Sequence, residues 1–292
     1  VVPFGGTALV WVPAVAVLLA QGRYTSAVVL VVAGAIVSSV DNFLKPLLIS
    51  GRAFVPTLAV FIGVIGGLAA IMGSGETAPT MAKVHRALFE RLGPAPVPAV
   101  ILDTPYGFQE NADDLSAKTA RFFAESVGRP VTVASYRSRD VDALAASTAV
   151  ARVREARYVM AGPGSPSYAL RQWADGPIPA ALAHGLASGG VLTMASAAAL
   201  TLGVVTIPVY EIYKVGADPT WLAGLDLLGP ATGWQAAVVP HFDNAEGGDH
   251  DTRFCYMGER RLRVLEASMP SGSFILGVDS HTALVLDLER RT

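Results

Sequence analysis

The chain has 292 residues, enough for two domains or one large one with a full core, and a formal net charge of -2. That balance excludes a binder driven by nucleic-acid or acidic-lipid electrostatics. The single cysteine, Cys255, excludes internal disulfides and any site built from several thiolates.

Charge is distributed unevenly. Of 22 basic and 24 acidic side chains, only Arg23, Asp41, Lys45 and Arg52 fall within residues 1–72. Three apolar stretches in this end read as membrane candidates: Thr7–Ala20, Ala27–Val40 and Phe54–Met72. Only the last approaches the roughly 18–20 apolar residues that a straight bilayer-spanning helix needs. Pro13 and Gly34 are tolerated in such helices. No basic start precedes a single apolar core, which argues against a signal peptide. Buried helices of a soluble core are the alternative. Four short motifs follow in order: Pro3-Phe4-Gly5-Gly6, Trp11-Val12-Pro13, Asp41-Asn42-Phe43-Leu44-Lys45-Pro46 and Phe61-Ile62-Gly63-Val64-Ile65-Gly66-Gly67. Together they resemble the C-terminal part of the autoinducer-2 exporter family of membrane transporters. The resemblance covers residues 1 to about 70 and implies an all-α membrane segment with the lipid bilayer as partner. Asp41 and Lys45 either line a polar path or sit in a loop between helices.

From Gly73 onward, short apolar runs alternate with helical patterns, which predicts an α/β fold with a mainly parallel sheet flanked by helices. The expected strands are Ala99–Asp103, Val131–Ser135, Tyr158–Ala161, Val191–Met194, Ala236–Val239, Phe274–Val278 and Ala283–Leu286. The expected helices are Thr80–Arg91, Ala112–Val127, Val141–Ala151 and Pro179–Ala187. The expected division is a transporter-like fragment over 1–70 and an α/β domain over 71–292. Ala69–Met72 falls at the junction and reads both as the end of a membrane helix and as a first strand. One segment cannot fill both roles, so the fusion is either unusual or an assembly artefact. The expected placement is membrane association through the N-terminal segment, with the α/β domain in the cytoplasm.

Ligands of open α/β sheets bind at the carboxyl ends of strands, where Asp103, Gly162 and Ser196 all fall. Ser196 ends the apolar run Val191–Ala195 and opens the small-residue stretch Ala197-Ala198-Ala199-Leu200. A serine on a strand-to-helix turn has an exposed hydroxyl beside free backbone N–H groups, as nucleophiles require. His241 lies at the end of another apolar run, and the pair directs the reading of this part of the chain. Each also has a plain reading, Ser196 as a helix N-cap and His241 as a core histidine. Asp103 and Tyr106 follow a strand and are candidates for the substrate mouth, with a simple turn as the alternative. Arg253 is a candidate for a substrate carboxylate, or a partner for Glu246 or Asp251. His241, Asp243, His250 and Asp251 include suitable metal ligands but match no standard zinc spacing. No metal and no cofactor is expected. Gly73-Ser74-Gly75-Glu76 lacks the spacing and lysine of a phosphate loop.

A second resemblance runs from about residue 70 to the C-terminus. Met72-Gly73-Ser74-Gly75-Glu76, Ala161-Gly162-Pro163-Gly164, Ala195-Ser196-Ala197, Pro240-His241-Phe242 and Gly277-Val278-Asp279-Ser280-His281-Thr282-Ala283-Leu284 carry it. Together they resemble the dipeptidase E and cyanophycinase family of serine peptidases. The resemblance implies a class I glutamine amidotransferase-like fold, Ser196 as nucleophile, His241 as general base and an acid, for which Glu211 is favoured over Asp243. Two departures stand out. Met194 and Ala198 replace the family's elbow glycines, and Pro163 removes an N–H from the loop expected to bind the oxyanion. Gly164 and Ala197 then become the expected oxyanion donors. The expected function is a serine-type hydrolase acting on a peptide or peptide-like amide bond. The alternatives are a binding domain without catalysis, or a transporter fragment joined to an unrelated soluble domain.

Overall fold

The computed structural model describes residues 67–288 continuously, the backbone of Val60–Ile62, and the single positions Leu18, Gln21, Tyr24 and Ala27. The chain divides into two compact units, Val1–Val55 and Pro56–Thr292. The membrane candidates Thr7–Ala20 and Ala27–Val40 lie outside the described residues, apart from Leu18 and Ala27, as do Asp41 and Lys45.

A seven-stranded sheet organises the second unit, in the order β1-β11-β2-β6-β5-β3-β4. Its strands are β1 (Val60–Ile62), β2 (Leu68–Met72), β3 (Ala99–Leu102), β4 (Thr132–Ala134), β5 (Tyr158–Ala161), β6 (Val191–Ala195) and β11 (Ala283–Asp287). Every pairing is parallel except β11 with β2. The short strands β7 (Val205–Thr206) and β8 (Leu222–Ala223) pair antiparallel. The strands β9 (Ala236–Val239) and β10 (Phe274–Gly277) were expected in the main sheet; they form a separate parallel pair.

Alternation across β2 explains why the core has two halves. Ala69 and Ile71 pack with Leu192, Met194, Val159 and Trp173 on one face. Leu68, Ala70 and Met72 pack with Tyr158, Phe89 and Phe123 on the other. A strand buried on both faces has no polar side and reads as a continuous apolar run. This corrects the expected span Phe54–Met72: Val60–Ile62 and Leu68–Met72 are strands, and β2 is interior to the sheet. Among the described residues no helix is long and apolar enough to cross a membrane. The expected domain boundary at residue 70 falls inside β2.

The helices are α1 (Ala82–Leu92), α2 (Ala112–Phe122), α3 (Ala143–Glu155), α4 (Pro166–Trp173), α5 (Ile178–Ala187), α6 (Ala197–Leu200), α7 (Gly229–Thr232) and α8 (Gly258–Ala267). The four expected helices correspond to α1, α2, α3 and α5. The last turn of the second, Phe123–Val127, is a π-turn that buries Phe123 and ends at Gly128 in the left-handed region. Helices α4 and α8 were not expected. Helix α4 is short and begins at Pro166 behind the Ser165 N-cap, whose hydroxyl accepts from the Tyr168 N–H.

Beneath the sheet, His85 on α1 is fully buried. Its Nε2 donates to the Glu76 carbonyl at 2.7 Å, so Nδ1 accepts from the Tyr158 hydroxyl at 2.7 Å. Thr193 on β6 donates in turn to that hydroxyl. This chain ties the loop after β2 to the centre of the sheet.

Candidate active site

Ser196 leaves β6 with φ 49° and ψ −119°, a conformation that L-residues rarely adopt and that costs on the order of 1–3 kcal/mol. Two backbone bonds hold it. The Ser196 N–H donates to the Met72 carbonyl of β2 at 3.1 Å, and the Ala198 N–H to the Gly162 carbonyl at 3.2 Å. Ser196 occupies the N-cap position of α6, yet its side chain makes no capping bond. Its Oγ lies 2.9 Å from Nε2 of His241 instead. Met194 and Ala198 are fully buried in the core below the elbow, so the residues replacing the glycines are absorbed by packing.

His241 arrives from the second sheet. It follows β9 and Pro240, at φ 49°. The Phe242 N–H donates to the Val278 carbonyl at 3.2 Å. The Asp243 carboxylate accepts the Ser280 N–H at 2.7 Å. Burial holds the His241 imidazole below its ordinary pKa; the Glu246 charge, then that of Asp243, opposes this, and His281 adds to it. A depressed value keeps the ring neutral near pH 7. A neutral ring with its proton on Nδ1 accepts the serine proton at Nε2.

Ser196 and His241 are thus brought together, and the expected acid is not among them. One oxygen of Glu211 accepts the Ser167 hydroxyl, and the other is buried without a partner. Asp243 serves Ser280. Among the described residues no carboxylate accepts a hydrogen bond from His241. The reason is topological: Glu211 opens a π-turn after β7, against the N-terminal end of α4.

Gly164 has φ +141°, and a Cβ there would lie 2.0 Å from the Pro105 carbonyl oxygen. The neighbouring Ser165 N–H donates to that same carbonyl at 2.8 Å. Ala197 is the first residue of α6, so its N–H has no acceptor within the helix. The other expected substrate residues are committed elsewhere. Asp103 is fully buried and accepts from the Tyr136 N–H, the Ser135 hydroxyl and the Arg137 guanidinium. Tyr106 is buried, with its hydroxyl 3.0 Å from that of Ser116. Arg253 pairs with Asp251 and Glu259 on the surface.

Sequence reasoning gave no role at the site to Glu246, Tyr256 or His281, which act on or meet the His241 ring, nor to Glu76, which feels His281. The Tyr256 ring lies 6.0 Å from that of His241. Burial raises the pKa of Glu76, and His281 lowers it. Glu76 and His281 sit inside quoted motifs, which was a usable signal. In the sequence Glu246 stands out only as a partner for Arg253, which pairs with Asp251 and Glu259 instead, and nothing marks Tyr256.

No protein-family model and no curated protein sequence matches the chain. Solved structures of similar fold include two peptidases. One is a peptidase from an acI-B1 Actinobacterium, with 21% identity and a TM-score of 0.60, covering 75% of this chain and 83% of that one. The other is a "Putative Peptidase E Protein" from Listeria monocytogenes EGD-e, with 11% identity and a TM-score of 0.51, covering 75% and 93%. At such identities the likeness is one of fold.

Proposed function

We propose that the unit from Pro56 onward is a peptidase-type hydrolase of the serine class. The observation that carries this reading is the 2.9 Å approach of Ser196 Oγ to His241 Nε2, made by residues from two different sheets. The fold likeness to solved peptidases supports it.

In this reading the Ser196 hydroxyl attacks an amide carbonyl while its proton passes to Nε2 of His241. The oxyanion that forms accepts from the N–H groups of Ala197 and Gly164. The imidazolium then protonates the leaving amine. Water, deprotonated by the same ring, cleaves the acyl-serine and restores the hydroxyl. The substrate is a peptide or a peptide-like amide, and no cofactor enters.

A fluorophosphonate probe tests this on the full chain. Wild type labels and Ser196→Ala does not; absence of labelling in wild type overturns the reading. The lack of a carboxylate on His241 favours one rival, a peptide-binding domain without turnover. That rival expects peptide binding with no labelling. Membrane attachment through the N-terminal residues is a separate proposal that rests on sequence alone. Retention of the full chain in carbonate-washed membranes supports it, and release into the supernatant overturns it.

A further inference from the structure

Phe254, Cys255 and Tyr256 have φ values of 59°, 56° and 66°. Three consecutive non-glycine residues in the left-handed region are unusual, since each costs roughly 1–2 kcal/mol. Such a segment persists only where its surroundings over-determine it. Here they do. The Cys255 N–H donates to the His241 carbonyl at 3.1 Å and the Phe254 N–H to the Phe242 carbonyl at 3.0 Å. The Phe254 ring meets that of Phe242 edge-on at 4.7 Å, and Cys255 is buried. On the far side, the Asp251 carboxylate accepts from Arg253 and from the Glu259 N–H at 2.8 Å. Arg253 is therefore a fastener of this turn.

What the turn achieves is local to His241. It brings the Tyr256 ring to the imidazole and lets the Tyr256 hydroxyl donate to Glu246 Oε2 at 2.7 Å. We propose that the Phe254–Tyr256 turn and Glu246 form a positioning unit for His241, in which Tyr256 pins the Glu246 carboxylate near the imidazole. The charge that steadies the imidazolium then acts through space, where a bonded carboxylate would otherwise act at Nδ1. This rests on the serine-hydrolase reading of the site.

The groups facing His241 are few. Glu246 and Asp243 come from its own loop, and of these two Glu246 contributes more. Asp243 is fixed on the Ser280 N–H. His281 faces it from the turn between β10 and β11, with an opposing effect. Tyr256 and Cys255 stay neutral, since burial pushes each up to about 12. Glu246 is exposed, so its effect is modest and its replacement leaves the core intact.

The test follows the His241 Cε1 proton through a pH titration by NMR in the full chain, assigned by its loss in His241→Gln. Glu246→Gln lowers the midpoint by about 0.2 to 0.7 pH units. Tyr256→Phe lowers it less, and adds nothing further in the Glu246→Gln background. An unmoved midpoint in Glu246→Gln overturns the proposal, as does a Tyr256→Phe effect that persists without Glu246. Fluorophosphonate labelling of Ser196 is measured alongside. Labelling with an unmoved midpoint sinks the positioning unit and leaves the hydrolase. A lowered midpoint without labelling sinks the hydrolase and leaves the positioning unit.

Discussion

Ser196 and His241, the two halves of the proposed dyad, are built differently. Ser196 ends an interior strand, its amide is bonded to the neighbouring strand, and fully buried side chains surround it. His241 stands on a two-stranded sheet among loops, held by backbone bonds to Val278 and Cys255 and by the Asp243 carboxylate. The geometry of the proposed nucleophile is thus part of the core, whereas that of the proposed base is a matter of loop fastening. Changes around Ser196 should register as stability, and changes around His241 as rate.

The sharpest way to break this contrast is His241→Gln. Removing the proposed base lowers Ser196 labelling by about 1,000-fold or more while the urea midpoint stays nearly constant. Gly164→Ala acts on stability as well as labelling, because Gly164 is both tightly packed and a proposed oxyanion donor. Its new Cβ meets the Pro105 carbonyl at 2.0 Å, and the protein loses about 2–4 kcal/mol in denaturant titration.

Acid separates the regions again. Burial lowers the His85 pKa to about 4, so the unfolded chain binds the proton first. The stability that neutral, buried His85 contributes is complete above pH 6.5 and is lost as pH drops toward 4, by at most about 3 kcal/mol. Urea midpoints measured across that window check it. Labelling rate falls on its own acid limb as His241 takes a proton, below the ordinary histidine value. The smallest effect is expected at Trp173, fully buried with an unpartnered Nε1. Trp173→Phe removes that orphan donor along with some packing, and the two nearly cancel, to within about 1 kcal/mol.

Local pattern made the sheet strands readable, because each is a short apolar run bounded by turns. The pairing of Ser196 with His241 was readable too, since both end such runs. Ala69–Met72 reads two ways in the sequence, and the strand is the one the structure shows; a strand buried on both faces and a bilayer helix share the same composition. The acid could not be read, because a carboxylate's neighbours depend on where distant turns carry it. Glu211 was carried to Ser167 and Asp243 to Ser280. Asp103 looked like a mouth residue because it ends a strand, yet three donors consume its oxygens. The left-handed turn at Phe254–Tyr256 contains none of the residues that usually announce one.

Met72 supplies the acceptor for the Ser196 amide, and its strand separates β11 from β6. A shortened version of the protein that starts at Gly73 would lose a middle plank along with the prop beneath Ser196. Two raw strand edges would then face each other across a gap, inviting the chain to stick to its own copies. Anyone trimming this protein for expression has to keep the apolar stretch that looks most disposable.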